Sequence, residues 1–369
     1  MGFESFLRRS TGNEEEPLKK EVERYQKEKR IGKLLTDRAN RLARMAVVGL
    51  TLQGCAPGEG SKQQQTPTQE QSVASELLDR QISTGTIRLS SGEVLGIPKS
   101  GERFDSVTVY LPKERPADRL LLVFGQIHQL PKENLDTFDA DTKNTMLREV
   151  MESQRAIYEG LKDMAQRGTI SKVCSELLLD TDKMLEMESY YRDSLPEITA
   201  SIVAKYLPES DIGRVVERRD ELFVDDYLSS EEYDELRSSI EPAIRQYQDE
   251  YRYAVSADGL LAAEGKVRLC PAASKETYDA AWEPQVDDLF DKPSAERTSA
   301  EQTLIRKVIF EDREDAAVAL AVSQAEKSIA ITYGAAHDFS DAVERWNKNN
   351  PNIQIGLVEV SADSGSQEQ

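Results

Sequence analysis

Histidine occurs only twice in this chain of 369 residues, and both copies stand in the same local pattern. His128 follows Gly125 in "RLLLVFGQIHQL", and His337 follows Gly334 in "KSIAITYGAAHDFS". Each completes a Gly-x-x-His sequence directly after an apolar run. Histidine is the side chain most used as an acid, base or metal ligand near neutral pH. The pair therefore predicts one chemical site; the alternative is two buried histidines whose glycines ease tight strand exits.

Two further charged residues are candidates for the same site. Glu176 ends the core of the strand predicted at "ISKVCSELLL" and could point into the same crevice as the histidines, with Asp180 as a second choice. Arg313 lies in "FEDREDAAVALA", on a predicted helix before the second histidine strand. An arginine there could hold the Glu176 carboxylate or bind an oxyanion of a substrate. The alternative is an exposed cluster of helix salt bridges with little energetic effect.

Apolar runs that alternate with helix-like segments predict the elements that position these residues. The fold class is α/β, with a mostly parallel central sheet covered by helices. A charged segment rich in helix formers, at about 181–255, predicts a helical insertion in the middle of the domain. Ligands bind at the carboxyl ends of parallel strands, where both histidines are expected. Gly125 and Gly334 would let the backbone turn there and let a ligand or cofactor approach closely.

Composition shifts divide the chain into three parts. Residues 1–80 combine a basic helix with a flexible tether, residues 81–360 form the α/β domain, and residues 361–369 are a disordered tail. The formal net charge of −20 argues against nucleic acid as a partner, because phosphate binding needs a basic surface. Neither a G-x-S-x-G nor a phosphate-binding glycine motif occurs at a strand-to-helix turn, which disfavours those reaction classes.

The three cysteines have different contexts. Cys174 and Cys270 lie in apolar, strand-like runs and are predicted to be buried, inert thiols. Cys55 follows basic residues and a short apolar run in "RLARMAVVGLTLQGCAPGEGS", an order that resembles a bacterial lipoprotein signal and predicts a membrane tether. The alternative is an amphipathic N-terminal helix and a linker in a cytoplasmic protein.

Across roughly residues 105–360, the motif order resembles the TraB/Tiki, ChaN-like and erythromycin-esterase-like superfamily. "GQIHQLP" is similar to its first Gly-x-x-His motif, "CSELLL" to its strand glutamate, "FEDREDAAVA" to its acidic-Arg motif and "YGAAHDF" to its second Gly-x-x-His. The chain has Gln126 where a glutamate commonly follows the first glycine, and Asp315 near the position where asparagine often follows the arginine. The branch of the superfamily stays unassigned.

The resemblance implies metal-dependent peptide cleavage, metal-free ester hydrolysis or haem binding, according to branch. The first hypothesis is a metal-assisted hydrolase of a peptide or small-molecule ester. His128 and His337 would be ligands or bases, Glu176 a ligand or orienting base, and Arg313 electrostatic support. Nitrogen and oxygen ligands suit manganese, cobalt or zinc. The alternative is a non-catalytic protein that binds haem or another small ligand through a histidine. The sequence does not indicate an oligomeric state.

Overall fold

The computed structural model describes residues 85–362, apart from 102, 128–134, 180–183, 225–237, 239–240, 282 and 293–295. His128 and Cys55 lie outside these ranges. So do the predicted tether and the last seven residues of the predicted tail.

A six-stranded sheet forms the centre of the part of the chain that the structure describes, and a two-stranded hairpin precedes it. The hairpin consists of β1 (Thr86–Arg88) and β2 (Val94–Gly96), and the sheet consists of β3 (Ser106–Tyr110), β4 (Arg119–Gln126), β5 (Lys172–Leu179), β6 (Arg268–Ala273), β7 (Ser328–Gly334) and β8 (Ile355–Ser361). The strand order is β3-β8-β4-β7-β5-β6. β3 pairs antiparallel with β8, whereas the other five strands run parallel. The predicted α/β class is confirmed.

Ten α-helices surround the sheet within the described ranges. They are α1 (Ala140–Gln166), α2 (Met184–Tyr206), α3 (Asp211–Val224), α4 (Glu241–Tyr251), α5 (Ala257–Ala263), α6 (Lys275–Ala280), α7 (Pro284–Asp291), α8 (Ser299–Ile305), α9 (Asp312–Ser323) and α10 (Ser340–Asn349). Helices α2 to α5 lie between β5 and β6, and α2 to α4 fall in the segment of about 181–255 where the helical insertion is expected. In the described ranges, no helix is both long and apolar enough to cross a bilayer.

Local sequence explains where the main helices begin and end. The Asp139 side chain accepts a hydrogen bond from the Thr142 amide at 2.7 Å and caps α1. Gly168 follows α1 with a φ of +70°, a conformation that glycine adopts without steric cost. At α8, Thr298 and Glu301 exchange side-chain and backbone hydrogen bonds in a capping box. The capping box sets the start of α8, the helix that precedes Arg313 in the chain.

The two faces of the sheet are covered by different helices. Leu122 and Phe124 of β4 pack on α1, whereas Val123, between them, packs on the face covered by α9 and α10. The chain crosses from β4 over β7 to reach β5, and later from β7 over β4 to reach β8. The connections that leave β4 and β7 therefore run in opposite directions. Such a switch point opens a crevice at the carboxyl ends of the two strands.

Cys174 and Cys270 form a disulfide, so the prediction of two free thiols was wrong. The two residues lie opposite each other on the adjacent parallel strands β5 and β6. Both are buried on the face that α9 covers. Because 96 residues separate them in the chain, only the pairing of the two strands brings them together.

Candidate active site

The two Gly-x-x-His segments begin side by side at the switch point. In the pairing of β4 with β7, Gly125 lies opposite Tyr333 and Gln126 lies opposite Gly334. Beyond the strands, the Ala335 amide donates to the Gln126 carbonyl at 3.1 Å. His128 comes two residues after β4, in the segment outside the described ranges, so the structure does not place its side chain. The strands that precede the histidines are neighbours, as the sequence predicts.

Gly125 allows these strand ends to approach closely. A Cβ atom at this position would lie 3.3 Å from the Cα of Ala335 and 3.4 Å from its Cβ. A side chain would push away the turn that leads to His337. Gly125 therefore has a packing role that the structure shows directly, beside the ligand approach expected from the sequence.

Glu176 and Arg313 form a buried ion pair on the face covered by α9. Their side chains are 1% and 0% exposed, and Oε1 of Glu176 accepts from Nη2 of Arg313. Its other oxygen, Oε2, accepts from the Gly334 amide at 2.7 Å. Glu176 lies where the pairing of β5 with β6 shifts register, an irregularity that redirects side chains. One carboxylate thus joins β5, β7 and α9.

A π-helical segment, Arg306–Glu311, connects α8 to α9 just before Arg313. Such segments change which side chains face the core and are frequent at functional sites. The Arg313 guanidinium carbon lies 5.4 Å from the centre of the Tyr333 ring. Burial lowers the pKa of Arg313, but Tyr333, Glu176 and Glu314 outweigh it, so the pKa is raised overall. Arg313 therefore stays cationic.

His337 is held by a second carboxylate, from Glu314. Nδ1 of His337 lies 3.0 Å from Oε1 of Glu314, and the two side chains are 6% and 5% exposed. The other ring nitrogen, Nε2, lies 4.0 Å from Oε1 of Glu176. Tyr333 and Phe310 pack on the imidazole with ring centres 4.6 and 5.0 Å away. The described site thus contains an imidazole, two carboxylates and a guanidinium in largely apolar surroundings.

Glu314 is the functional candidate that sequence reasoning missed. It directly follows Arg313, and the apolar residues Ala317, Val318 and Ala321 lie three, four and seven positions later. That spacing places Glu314 on the buried stripe of α9. An acidic residue in the apolar stripe of a helix was the signal that could have identified it.

Glu359 of β8 lies at the edge of this cluster. Its Oε1 accepts from the Phe339 amide at 2.8 Å, at the start of α10. Burial, together with the charges of Asp338 and Glu314, raises the pKa of Glu359 to about 7, although the Phe339 hydrogen bond opposes the shift. Unlike Glu176, this carboxylate is not paired with a cation in the described part of the chain.

The described residues by themselves do not form a divalent-metal site, and the predicted ligand His128 lies outside the described ranges. Both oxygens of Glu176 are engaged, one of them by the cationic Arg313, which would repel a metal ion at the same carboxylate. Within the described ranges, no group of three His, Cys, Asp or Glu side chains could hold a metal. A haem iron would have to bind one of the two ring nitrogens of His337. Nδ1 already contacts Glu314, and Nε2 faces the Glu176 carboxylate at 4.0 Å.

No family model, curated protein or solved structure matches this chain.

Proposed function

We propose that this protein hydrolyses an ester or peptide bond at the crevice between β4 and β7, with His337 as the general base. The observation that carries the proposal is the buried contact of 3.0 Å between His337 and Glu314, beside the Glu176–Arg313 ion pair. A carboxylate that holds one nitrogen of an imidazole fixes the ring and its tautomer. The motif order also resembles that of the TraB/Tiki, ChaN-like and erythromycin-esterase-like superfamily, and the hydrolytic branches of that superfamily would imply the same reaction class.

The hydrogen bond to Glu314 assigns the tautomer of His337. A carboxylate only accepts hydrogen bonds, so Nδ1 carries the proton and donates it. Nε2 then keeps its lone pair and can take a proton from water. The water oxygen attacks the substrate carbonyl, and the imidazolium returns the proton to the departing alkoxide or amine.

The surrounding charges favour this proton transfer. The described cluster holds two carboxylates and one guanidinium, so it carries one net negative charge while His337 is neutral. Protonation of His337 makes the cluster neutral. In a buried site, where charges are poorly screened, the carboxylates of Glu314 and Glu176 interact with the charge that the imidazole gains during the reaction. Arg313 offsets one of the two negative charges, and its ion pair with Glu176 holds that carboxylate in place.

The test is hydrolysis of p-nitrophenyl esters and fluorogenic peptides by the full chain and by single variants. His337→Ala should lower kcat/KM by about 10²- to 10⁴-fold, the usual contribution of a general base. Glu314→Gln should also lower it strongly, because an amide no longer fixes the productive tautomer. Asp315→Asn is the matched control, since the neighbouring Asp315 pairs with Arg345 at the surface. It should retain the parent rate.

Dialysis against a chelator separates two forms of the proposal. Because the donors described here do not suit a divalent metal, activity should persist. A loss that zinc, manganese or cobalt restores would replace the metal-free mechanism with the metal-assisted one, in which His128 would act as well. If His337→Ala hydrolyses every substrate at the parent rate, His337 is not the base and the proposed site is wrong.

We also propose that the protein matures outside the cytoplasm as a lipoprotein anchored through Cys55. The disulfide between Cys174 and Cys270 supports this, because disulfides persist mainly in oxidising compartments. Expression in a bacterium should place the protein in the membrane fraction, with the mass of a lipid added at Cys55. Cys55→Ser should release it. An unmodified, soluble parent protein would contradict the anchor.

A further inference from the structure

A second set of buried polar side chains lies on the face of the sheet opposite His337. Asp258, the second residue of α5, is 1% exposed, and neither of its carboxylate oxygens has a hydrogen-bond partner among the described residues. Its neighbours Ala257 and Leu260 belong to the apolar core on the α1 face. A buried carboxylate without a compensating group is unstable relative to one in water.

Hydrogen bonds connect the Asp258 region to the end of β4. Nε2 of Gln154, on α1, donates to Oε1 of Gln126 at 3.4 Å, and Oε1 of Gln154 accepts from the Ala257 amide at 2.8 Å. Gln126 is the last residue of β4. The start of α5 therefore lies at the carboxyl edge of the sheet, near the crevice that holds His337 on the other face.

Two residues with hydroxyl groups, Tyr191 and Ser256, lie at the first turn of α5, which carries Asp258. The Tyr191 ring packs on the first turn of α5, where a Cβ atom at Gly259 would lie only 2.4 Å from its Cε1. Burial and the charge of Asp258 raise the pKa of Tyr191. The Ser256 hydroxyl oxygen, two residues before Asp258, is buried and has no hydrogen-bond partner among the described residues. Ser194, three residues after Tyr191 on the same face of α2, is buried as well.

We propose that Asp258 is the anionic ligand of a buried site for a singly charged cation, with the hydroxyl oxygens of Ser256 and Tyr191 as neutral ligands. One carboxylate balances one positive charge, so an alkali-metal ion or the ammonium group of a ligand fits better than a divalent ion. Oxygen atoms are the donors that such hard cations prefer. The site lies outside the proposed hydrolytic cluster and does not depend on hydrolysis.

Thermal unfolding of the full chain at constant ionic strength tests the site. Sodium, potassium and methylammonium chloride are each compared with choline chloride, whose cation is too large for a buried site. A bound cation stabilises only the folded state, so at least one salt should raise the unfolding midpoint by about 2 °C or more. A rise with sodium or potassium identifies an alkali ion, and a rise with methylammonium alone identifies an ammonium group.

Asp258→Asn should abolish the salt-specific rise, because the amide lacks the negative charge. Asp211→Asn is the control, since Asp211 is exposed and pairs with Arg214, and it should keep the rise. Ser256→Ala retains the carboxylate and removes one neutral ligand, so it should weaken the dependence on cation concentration severalfold. If Asp258→Asn fails to fold, Ser256→Ala still tests the cation site.

Two results would overturn the proposal. An equal salt-specific rise in the parent and in Asp258→Asn would place the cation elsewhere. No salt-specific rise in the parent would show that Asp258 binds no cation. Hydrolysis rates do not enter either measurement, so this proposal and the hydrolase proposal can fail separately.

Discussion

The carboxylates buried near this crevice differ in their partners between the two faces of the sheet. On the face covered by α9, Glu176 is paired with Arg313, and Glu314 is paired with His337. On the face covered by α1, Asp258 is buried without a hydrogen-bond partner in the described part of the chain. On the first face a guanidinium or an imidazole lies beside each of these two carboxylates, whereas no hydrogen-bond partner of Asp258 lies among the described residues.

This difference separates two uses of a buried carboxylate. Charges that compensate one another can hold a base such as His337 in one orientation before the substrate arrives. A carboxylate without a partner instead gains most from a ligand that brings the opposite charge. The comparison predicts that removal of one charge of the Glu176–Arg313 pair destabilises the protein strongly, whereas removal of the Asp258 charge destabilises it much less.

The largest expected effect is the loss of the buried ion pair. Arg313→Met should lower the free energy of unfolding by about 3–5 kcal/mol, because Glu176 would remain buried without its counter-charge. Urea denaturation measures it. Asp315→Asn, which breaks the exposed pair with Arg345, should change it by about 0–1 kcal/mol. If both variants lower the free energy of unfolding by a similar amount, the buried pair contributes no more to stability than the exposed pair.

The disulfide should have the next largest effect. Replacing Cys174 and Cys270 together by alanine should cost about 2–4 kcal/mol, because the cross-link closes a loop of 96 residues. Urea denaturation again measures the loss. In the denatured parent protein without a lipid anchor, thiol titration should detect Cys55 alone before reduction and all three cysteines after it. Three reactive thiols without reduction would show that the bond is absent.

A smaller effect is expected from Glu359, the carboxylate of the α9 face that is not paired with a cation in the described ranges. Its raised pKa, about 7, means that the folded state binds the proton more tightly than the unfolded chain. Its contribution to stability is therefore fully present below the unfolded pKa, near 4.5, and is lost as the pH rises through about 7.

Glu359→Gln removes this titration and keeps an oxygen that can accept from the Phe339 amide. Above pH 7 the variant should be more stable than the parent by about 1–2 kcal/mol, allowing for solvent screening of a partly exposed group. The difference should shrink as the pH falls toward 4.5. Urea denaturation across this pH range measures it, and a constant difference would show that Glu359 does not titrate as described.

Much of the fold follows from sequence patterns. Apolar runs predict β4, β5 and β7, and the charged segment between β5 and β6 predicts the helical insertion. These assignments succeed because burial on both sides of a parallel strand needs continuous apolar residues. The pairing of the two strands that precede the histidines was also predictable, since strand ends that carry matched Gly-x-x-His sequences are expected to share one edge of the sheet.

The sequence by itself thus determined the α/β class, the shared edge for the two Gly-x-x-His segments and the candidates Glu176 and Arg313. Only the tertiary structure decided that Glu314 holds His337, that Cys174 pairs with Cys270 and that Asp258 is buried without a hydrogen-bond partner among the described residues. The physical reason is distance along the chain. Periodicity fixes which face of an element is buried, but strand register and helix packing fix which side chains on those faces meet.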